Sequence, residues 1–493
     1  MKPAVREDRD QPDRIVRRVA RNTIFLGIAD AANKLMMFVF YLIAARHLGV
    51  QQFGVLSFAL AFVTMLAVFT DLGLGAVTAR EIARDRTVAQ RYVRNAVSIK
   101  AIASLLVIGL IAVSVRFLGY PASTVRVVGI CSLFVIESAF TLYLGFVFQG
   151  FERMEFTAFS RISQTLVLIA GAVILSRGPA SAERYALLYA GAGLVSAAFA
   201  WLAVSIGFVR PGFSFNLGEW KRMLRQALPV GMAAAFAMFY YWNGSTLLSK
   251  LSGDAAVGIY SAPFRLAMGL GLVGWSFSGA LYPVMSRLFA TDPIRLTRLT
   301  ELALKYMLML VLPIGVLGMV LARPAILLVF GSSYLPSVPV FRVLVWWIAA
   351  ACLNSLLSNY FLSVDRARVV TIQTGVALPV SILANLVLIP AMGALGAALA
   401  IVVAETGGLV YLSARQLQTE NPVHVAPLFV SVAKSGLALV PATVAAVLVA
   451  RTSFVGSAVT ALSVYVLMLF LVRGLGGEDL RTLRVLLGGS SAR

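Results

Sequence analysis

Between Asn22 and Arg473, apolar stretches long enough to cross a ~30 Å hydrocarbon core follow one another with little between them. Fourteen are counted, the first at 22–46 and the last at 454–473. In lipid a backbone must bond to itself, so each stretch reads as a transmembrane helix. Composition agrees: 60% of residues are hydrophobic and 13% charged, where globular domains carry about 25% charged. A soluble enzyme, a nucleic-acid binder and a disordered scaffold are all disfavoured. No segment outside the spans exceeds about 25 residues, too short for a soluble domain of at least ~50. The charged first 21 residues contain no apolar h-region, which argues against a cleaved signal peptide.

The chain holds 42 Lys and Arg against 21 Asp and Glu, a net +21. In a soluble protein that would suggest nucleic acid; between membrane spans it reads as loop charge that sets orientation. With a cytoplasmic N-terminus, 30 cations fall on the cytoplasmic side and 9 opposite, while Lys34, Arg265 and Lys434 lie within spans. Both termini are then expected in the cytoplasm, which requires an even number of spans. The layout predicted is a basic tail at 1–21, an N-lobe of six spans at 22–208 and a linker at 209–226. A C-lobe of six spans at 227–414, two extra spans at 426–473 and a tail at 474–493 complete it.

Two echoes point to a duplication. Arg46, Gly49, Gly54 and Ser57 are matched by Lys250, Gly253, Gly258 and Ser261, each 204 residues later. Glu152-Arg153 after span 4 is matched by Asp365-Arg366 after span 10. Six spans separate each pair, so the lobes would share orientation and be related by a pseudo-twofold axis along the membrane normal.

Catalytic and cofactor signatures are missing. Cys131 and Cys352 lie in apolar runs, His47 and His424 in different loops. No HExxH, GxxxxGK[ST], GxSxG or CxxC pattern occurs. The sequence thus implies no enzyme, no metal and no cofactor.

An ionisable group in hydrocarbon costs ~2.5–3.5 kcal/mol or more, so by default it marks a cavity or a pair. Asp30 and Lys34 are spaced i,i+4, with Asn33 alongside; they form either a self-neutralising pair or a polar stripe lining a cavity. Arg265 follows Pro263, precedes four glycines and has no acid near it in its own span, which suits an anionic ligand. Asp71, Glu137 and Glu405 are candidate ion-coupling carboxyls, the alternative for each being a hydrogen bond to a neighbouring helix. Tyr241 and Asn243, in the mid-span run Tyr240-Tyr241-Trp242-Asn243, are candidate sugar contacts. Trp346-Trp347 reads as an interfacial belt, Gly393–Ala400 as a close-packing helix face, and Lys434 as a snorkelling side chain.

Ala45-Arg46-His47-Leu48-Gly49, Phe53-Gly54, Asp71-Leu72-Gly73-Leu74 and Arg80-Glu81-Ile82-Ala83-Arg84 resemble the N-terminal signature of polysaccharide flippases of the multidrug/oligosaccharidyl-lipid/polysaccharide exporter superfamily. Phe330-Gly331-Ser332-Ser333-Tyr334 and Ile389-Pro390 before Gly393 are similar to later landmarks of that family. The resemblance implies an all-α polytopic fold of about fourteen helices. It also implies transfer of undecaprenyl-diphosphate-linked oligosaccharide from the inner to the outer leaflet of the bacterial cytoplasmic membrane. Lys34 and Arg265 match cavity arginines of the related lipid II flippases, although lysine lacks the planar fork. The partners implied are the polyprenyl-diphosphate-linked glycan and the lipid bilayer, with room for a polysaccharide polymerase.

The expected mechanism is alternating access, with Lys34 and Arg265 gripping the diphosphate and protonation of Asp30 or Asp71 releasing it. With no ATP motif, energy would come from an ion gradient, the membrane potential or trapping of product. Two alternatives stand: a multidrug exporter of the same superfamily, and a membrane-embedded glycan polymerase or glycosyltransferase.

Overall fold

A computed structural model describes residues 11–450 and 453–474. The first ten residues of the basic tail, and all but Gly474 of the tail expected at 474–493, lie outside the described residues. Among those described there are helices and no strands. In order they are α1 (Gln11–Ala67), α2 (Leu74–Arg84), α3 (Ala89–Phe117), α4 (Ala122–Cys131), α5 (Leu133–Gly150), α6 (Glu155–Leu175), α7 (Ala182–Gly207) and α8 (Leu217–Thr291). Then come α9 (Pro293–Val320), α10 (Ala322–Phe330), α11 (Val338–Ser363), α12 (Ala367–Met392), α13 (Ala394–Leu417), α14 (Val425–Val449) and α15 (Phe454–Leu471). Twelve segments are long and apolar enough to cross a membrane. Two of them, α1 and α8, are each broken once by a non-helical glycine and supply two crossings, so the described chain has fourteen.

Several boundaries differ from expectation. α1 already begins at Gln11, inside the stretch predicted as tail, and α8 at Leu217, inside the predicted linker. Arginine, glutamate and lysine are good helix formers, so a helix need not stop where the hydrocarbon does. Pro390 does not separate two spans but lies within α12, which ends instead at Gly393, with φ 54°. Trp347 is no interfacial residue. It is fully buried and stacks on Phe264 with ring centroids 4.8 Å apart, because α11 is enclosed by α9 and α13. Between α2 and α3, Asp85 accepts hydrogen bonds from the Thr87 hydroxyl and amide, which hold its carboxyl below the usual range. That cap is intact at neutral pH and is lost as pH falls through the lowered value.

The chain forms two compact units whose limits depart from the expected lobes. One comprises the chain up to His47 with Ala59–Met238; the other comprises Leu48–Phe58 with everything from Phe239 on. The first is built around Tyr92, Val97, Tyr143 and Phe148, with Phe156 stacked on Phe148 at 5.2 Å. In the second, Leu317 of α9, Ala442 of α14 and Tyr465 of α15 share a cluster. There Gly396 of α13 lies against the Leu388 carbonyl of α12, the close helix contact its small-residue run predicts.

At both sequence echoes the backbone repeats. Gly49 and Gly253 break α1 and α8 with φ/ψ of 67/177° and 81/175°, a region essentially restricted to glycine. Within the second unit the two motifs then clasp each other. A Cβ on Gly54 would lie 1.8 Å from the Asp254 carbonyl oxygen, and one on Gly258 2.1 Å from that of Val50. Val50 and Asp254 are themselves 204 residues apart, as are Gly54 and Gly258. Glu152 and Asp365 both adopt positive φ, 60° and 58°. The next amide in each case bonds five residues back, Arg153 to Phe148 and Arg366 to Phe361, both at 2.9 Å. These are left-handed helix caps.

Gly54→Ala should therefore melt well below wild type in detergent, the overpacking costing ~1–3 kcal/mol. Gly191→Ala, whose Cβ would meet nothing within 4 Å, should not. Equal melting temperatures for the two variants would contradict the crossing.

Candidate functional site

Within the first unit, a cavity of about 630 Å³ opens between α1, α5 and α6. Asp30 and Asn33 line it from α1, Glu137 and Thr141 from α5, Arg161 and Gln164 from α6. Lys34 Nζ lies 2.8 Å from Asp30 Oδ2, so the i,i+4 pair forms. Arg161 Nη1 approaches the other oxygen of Asp30 at 3.4 Å. Two cations thus share one carboxylate and the cluster keeps a net positive charge. All three side chains are roughly half exposed, so their mutual attraction is weak and their field remains available to another anion. Asn33 Oδ1 accepts a hydrogen bond from the Thr165 hydroxyl at 2.7 Å. From its sequence Arg161 counts among the cytoplasmic loop cations. α6 starts at Glu155, and that start puts it well over a turn inside a helix.

Asp71 is placed differently from Asp30. Leu72 and Gly73 both have positive φ, 42° and 84°, and break the helix between α1 and α2. Lys100, counted from sequence among the loop cations, is a fully buried residue of α3. Its Nζ lies 2.6 Å from Asp71 Oδ1 and 3.3 Å from the Thr70 carbonyl oxygen, with the Tyr143 ring centroid at 5.1 Å. The backbone at Leu72 also crosses α8 so closely that a Cβ on Gly231 would lie 2.1 Å from it. Asp71 and Lys100 therefore pin a broken helix.

In the second unit Glu405 of α13 is buried and fully bonded. Tyr240 donates to its Oε2 at 2.5 Å, and Asn354 Nδ2 lies 2.8 Å from both its Oε1 and its backbone oxygen. Tyr241 is half-buried, edge-on to Tyr240. Asn243 Nδ2 donates to the Tyr240 carbonyl at 2.7 Å, and its Oδ1 accepts from Asn385 at 2.9 Å, so it staples α8 to α12. Arg265 is half-buried on α8, beyond the Gly253 break. A second cavity, about 530 Å³ and almost wholly apolar, lies between α9 and α15, lined by Pro313, Leu317, Phe341, Phe454 and Val466. No cluster of metal-ligating side chains occurs among the described residues.

The family described as polysaccharide biosynthesis protein matches residues 19–289, more than half the chain. Among curated relatives, the "Probable low-salt glycan biosynthesis flippase Agl15" of Haloferax volcanii is 21% identical over 391 residues, 78% of this chain and 80% of the relative. The lipid II flippase MurJ in an inward closed conformation superposes with a TM-score of 0.75 at 14% identity, over 91% of this chain and 99% of its own. An inward-facing MATE multidrug transporter gives 0.61 at 16% identity, over 78% and 94%. At such identities the two structural likenesses are of fold.

Removing one partner of a buried pair leaves an uncompensated charge, at ~3–5 kcal/mol. Lys100→Met should accordingly melt far below wild type in detergent, and Lys100→Met with Asp71→Asn should recover most of the loss. A double variant as unstable as the single one would show that the pair does not act as a unit.

Proposed function

Because the chain belongs to the polysaccharide biosynthesis protein family, we propose that it is a flippase for polyprenyl-diphosphate-linked oligosaccharide. It carries this lipid from the inner to the outer leaflet of the cytoplasmic membrane by alternating access, with both termini in the cytoplasm. It is a transporter and not an enzyme. The problem such a protein solves is desolvation, since each phosphate or hydroxyl entering hydrocarbon loses its water unless a partner replaces it. The observation that carries the reading is the ion-pair cluster beside the cavity, where Lys34 and Arg161 both reach Asp30.

The chemistry fits a diphosphate. Lys34 offers a point charge and Arg161 the planar fork that lysine lacks. Arg265 is the other candidate cation for the diphosphate. Asp30 competes with phosphate for both cations, so release is the return of its carboxylate to Lys34 and Arg161. Asp71, held by Lys100, takes no part in this exchange. A polysaccharide polymerase receiving the product on the outer face is the partner implied.

A multidrug exporter for cationic compounds would need a free carboxylate at its site, and Asp30 is already met by two cations. A polymerase would need catalytic groups in sizeable loops, and the connections between helices here are short. In proteoliposomes carrying a fluorescent polyprenyl-diphosphate-linked sugar, Lys34→Ala with Arg265→Ala should slow translocation more than about tenfold. That is the scale of losing hydrogen bonds to charged groups. Wild-type rates in this double variant would sink the assignment.

A further inference from the structure

The cavity of the first unit holds more than cations. Glu137 is 3% exposed, yet its Oε2 makes no hydrogen bond. Thr141, one turn further along the same face of α5, sets its hydroxyl beside the same carboxyl. Both line the cavity, and Gln164 of α6 lies beside the Glu137 carboxyl. The carboxyl is backed by Gly193 of α7, where a Cβ would come within 2.5 Å of Glu137 Cγ. Phe134 and Tyr189 meet edge-to-face at 5.2 Å and add an aromatic surface to the same lining.

A buried acceptor with an empty valence, in a site roomy enough for a ligand, calls for a donor from outside the protein. An open carboxylate oxygen, a hydroxyl, a primary amide and an aromatic face together complement a pyranose. Its hydroxyls donate to the carboxylate, its ring substituents bond the amide, and its C–H face lies on the rings. Position along α6 adds a second argument. Gln164 is three residues after Arg161 and one turn away on the same face, about 4.5 Å along the axis. In a polyprenyl-diphosphate glycan the first sugar is bonded directly to the distal phosphate. A diphosphate at Arg161 therefore sets that sugar level with Gln164 and Glu137.

We propose that Glu137, Thr141 and Gln164 form a subsite for the phosphate-linked sugar, so that the first unit discriminates a glycosylated lipid from the bare polyprenyl diphosphate. This rests on the flippase reading and adds to it a specificity that the cation cluster alone would not have. Glu137, a candidate coupling acid from sequence, becomes a hydroxyl acceptor.

The test uses the full-length chain, with polyprenyl diphosphate bearing one N-acetylhexosamine and bare polyprenyl diphosphate as probes. Their translocation ratio in proteoliposomes and their relative binding in detergent are both read. Glu137→Gln and Gln164→Ala should each reduce the glycosylated-to-bare ratio by about five- to tenfold, the range for one lost hydrogen bond. Arg161→Gln should weaken binding of both lipids alike. Unchanged ratios in both variants would overturn the subsite. So would a Glu137→Gln chain that keeps its selectivity but no longer responds to an imposed pH gradient, since Glu137 would then be a coupling group. If wild type binds the glycosylated lipid more tightly yet moves neither probe, the flippase reading fails while the subsite stands. Equal binding of the two lipids would remove the subsite whatever the transport result.

Discussion

Charge inside hydrocarbon has to be neutralised or put to use, and the two aspartates of the first unit divide along that line. Asp71 faces one lysine, Lys100, which is entirely enclosed; together with the Thr70 carbonyl and the Tyr143 ring it leaves nothing over for a ligand. Asp30 faces two cations, both half exposed, in the wall of a cavity. The same pairing chemistry gives a fastener in one place and a receptive surface in the other. What separates them is stoichiometry and access, not residue type.

That distinction was only partly legible in the sequence. The crossings could be read because run length against bilayer thickness leaves little choice, and Gly49 and Gly253 could be matched because a break in a long helix demands glycine. Lys100 and Arg161 count with the loop cations from sequence because each lies close to the cytoplasmic end of its span, where a cation reads as loop charge. Trp347 failed similarly, since an indole near a span end signals an interface only when no neighbouring helix covers it. Asn243 and Glu405 were recognised as polar residues at depth, but their partners Asn385, Tyr240 and Asn354 lie up to 165 residues away. No periodicity along one helix reveals such contacts.

The glycine crossings bear on how such a chain could move. At Gly54 with Asp254, and at Gly231 with Leu72, backbone meets backbone. Contacts of this kind place helices at short distance and exclude water, yet have few interdigitated groups to disengage. They suit surfaces that must close tightly and part again. A large residue at either crossing would hold the helices apart, which is why both need glycine.

Direction of transport then depends on what competes for the cations. Asp30 already pairs with Lys34 and Arg161, so a diphosphate bound there as proposed must displace it, and each ion pair has a modest intrinsic worth at half exposure. The displacement is nearly balanced. That is what a carrier requires, because a site that bound diphosphate without an internal competitor would release it slowly. On the proposed reading a small bias, such as removal of the glycan from the far leaflet, then sets the direction. With Asp71 closed by Lys100 and Glu405 closed by Tyr240 and Asn354, the proposed reading leaves Asp30 to trade places with the substrate.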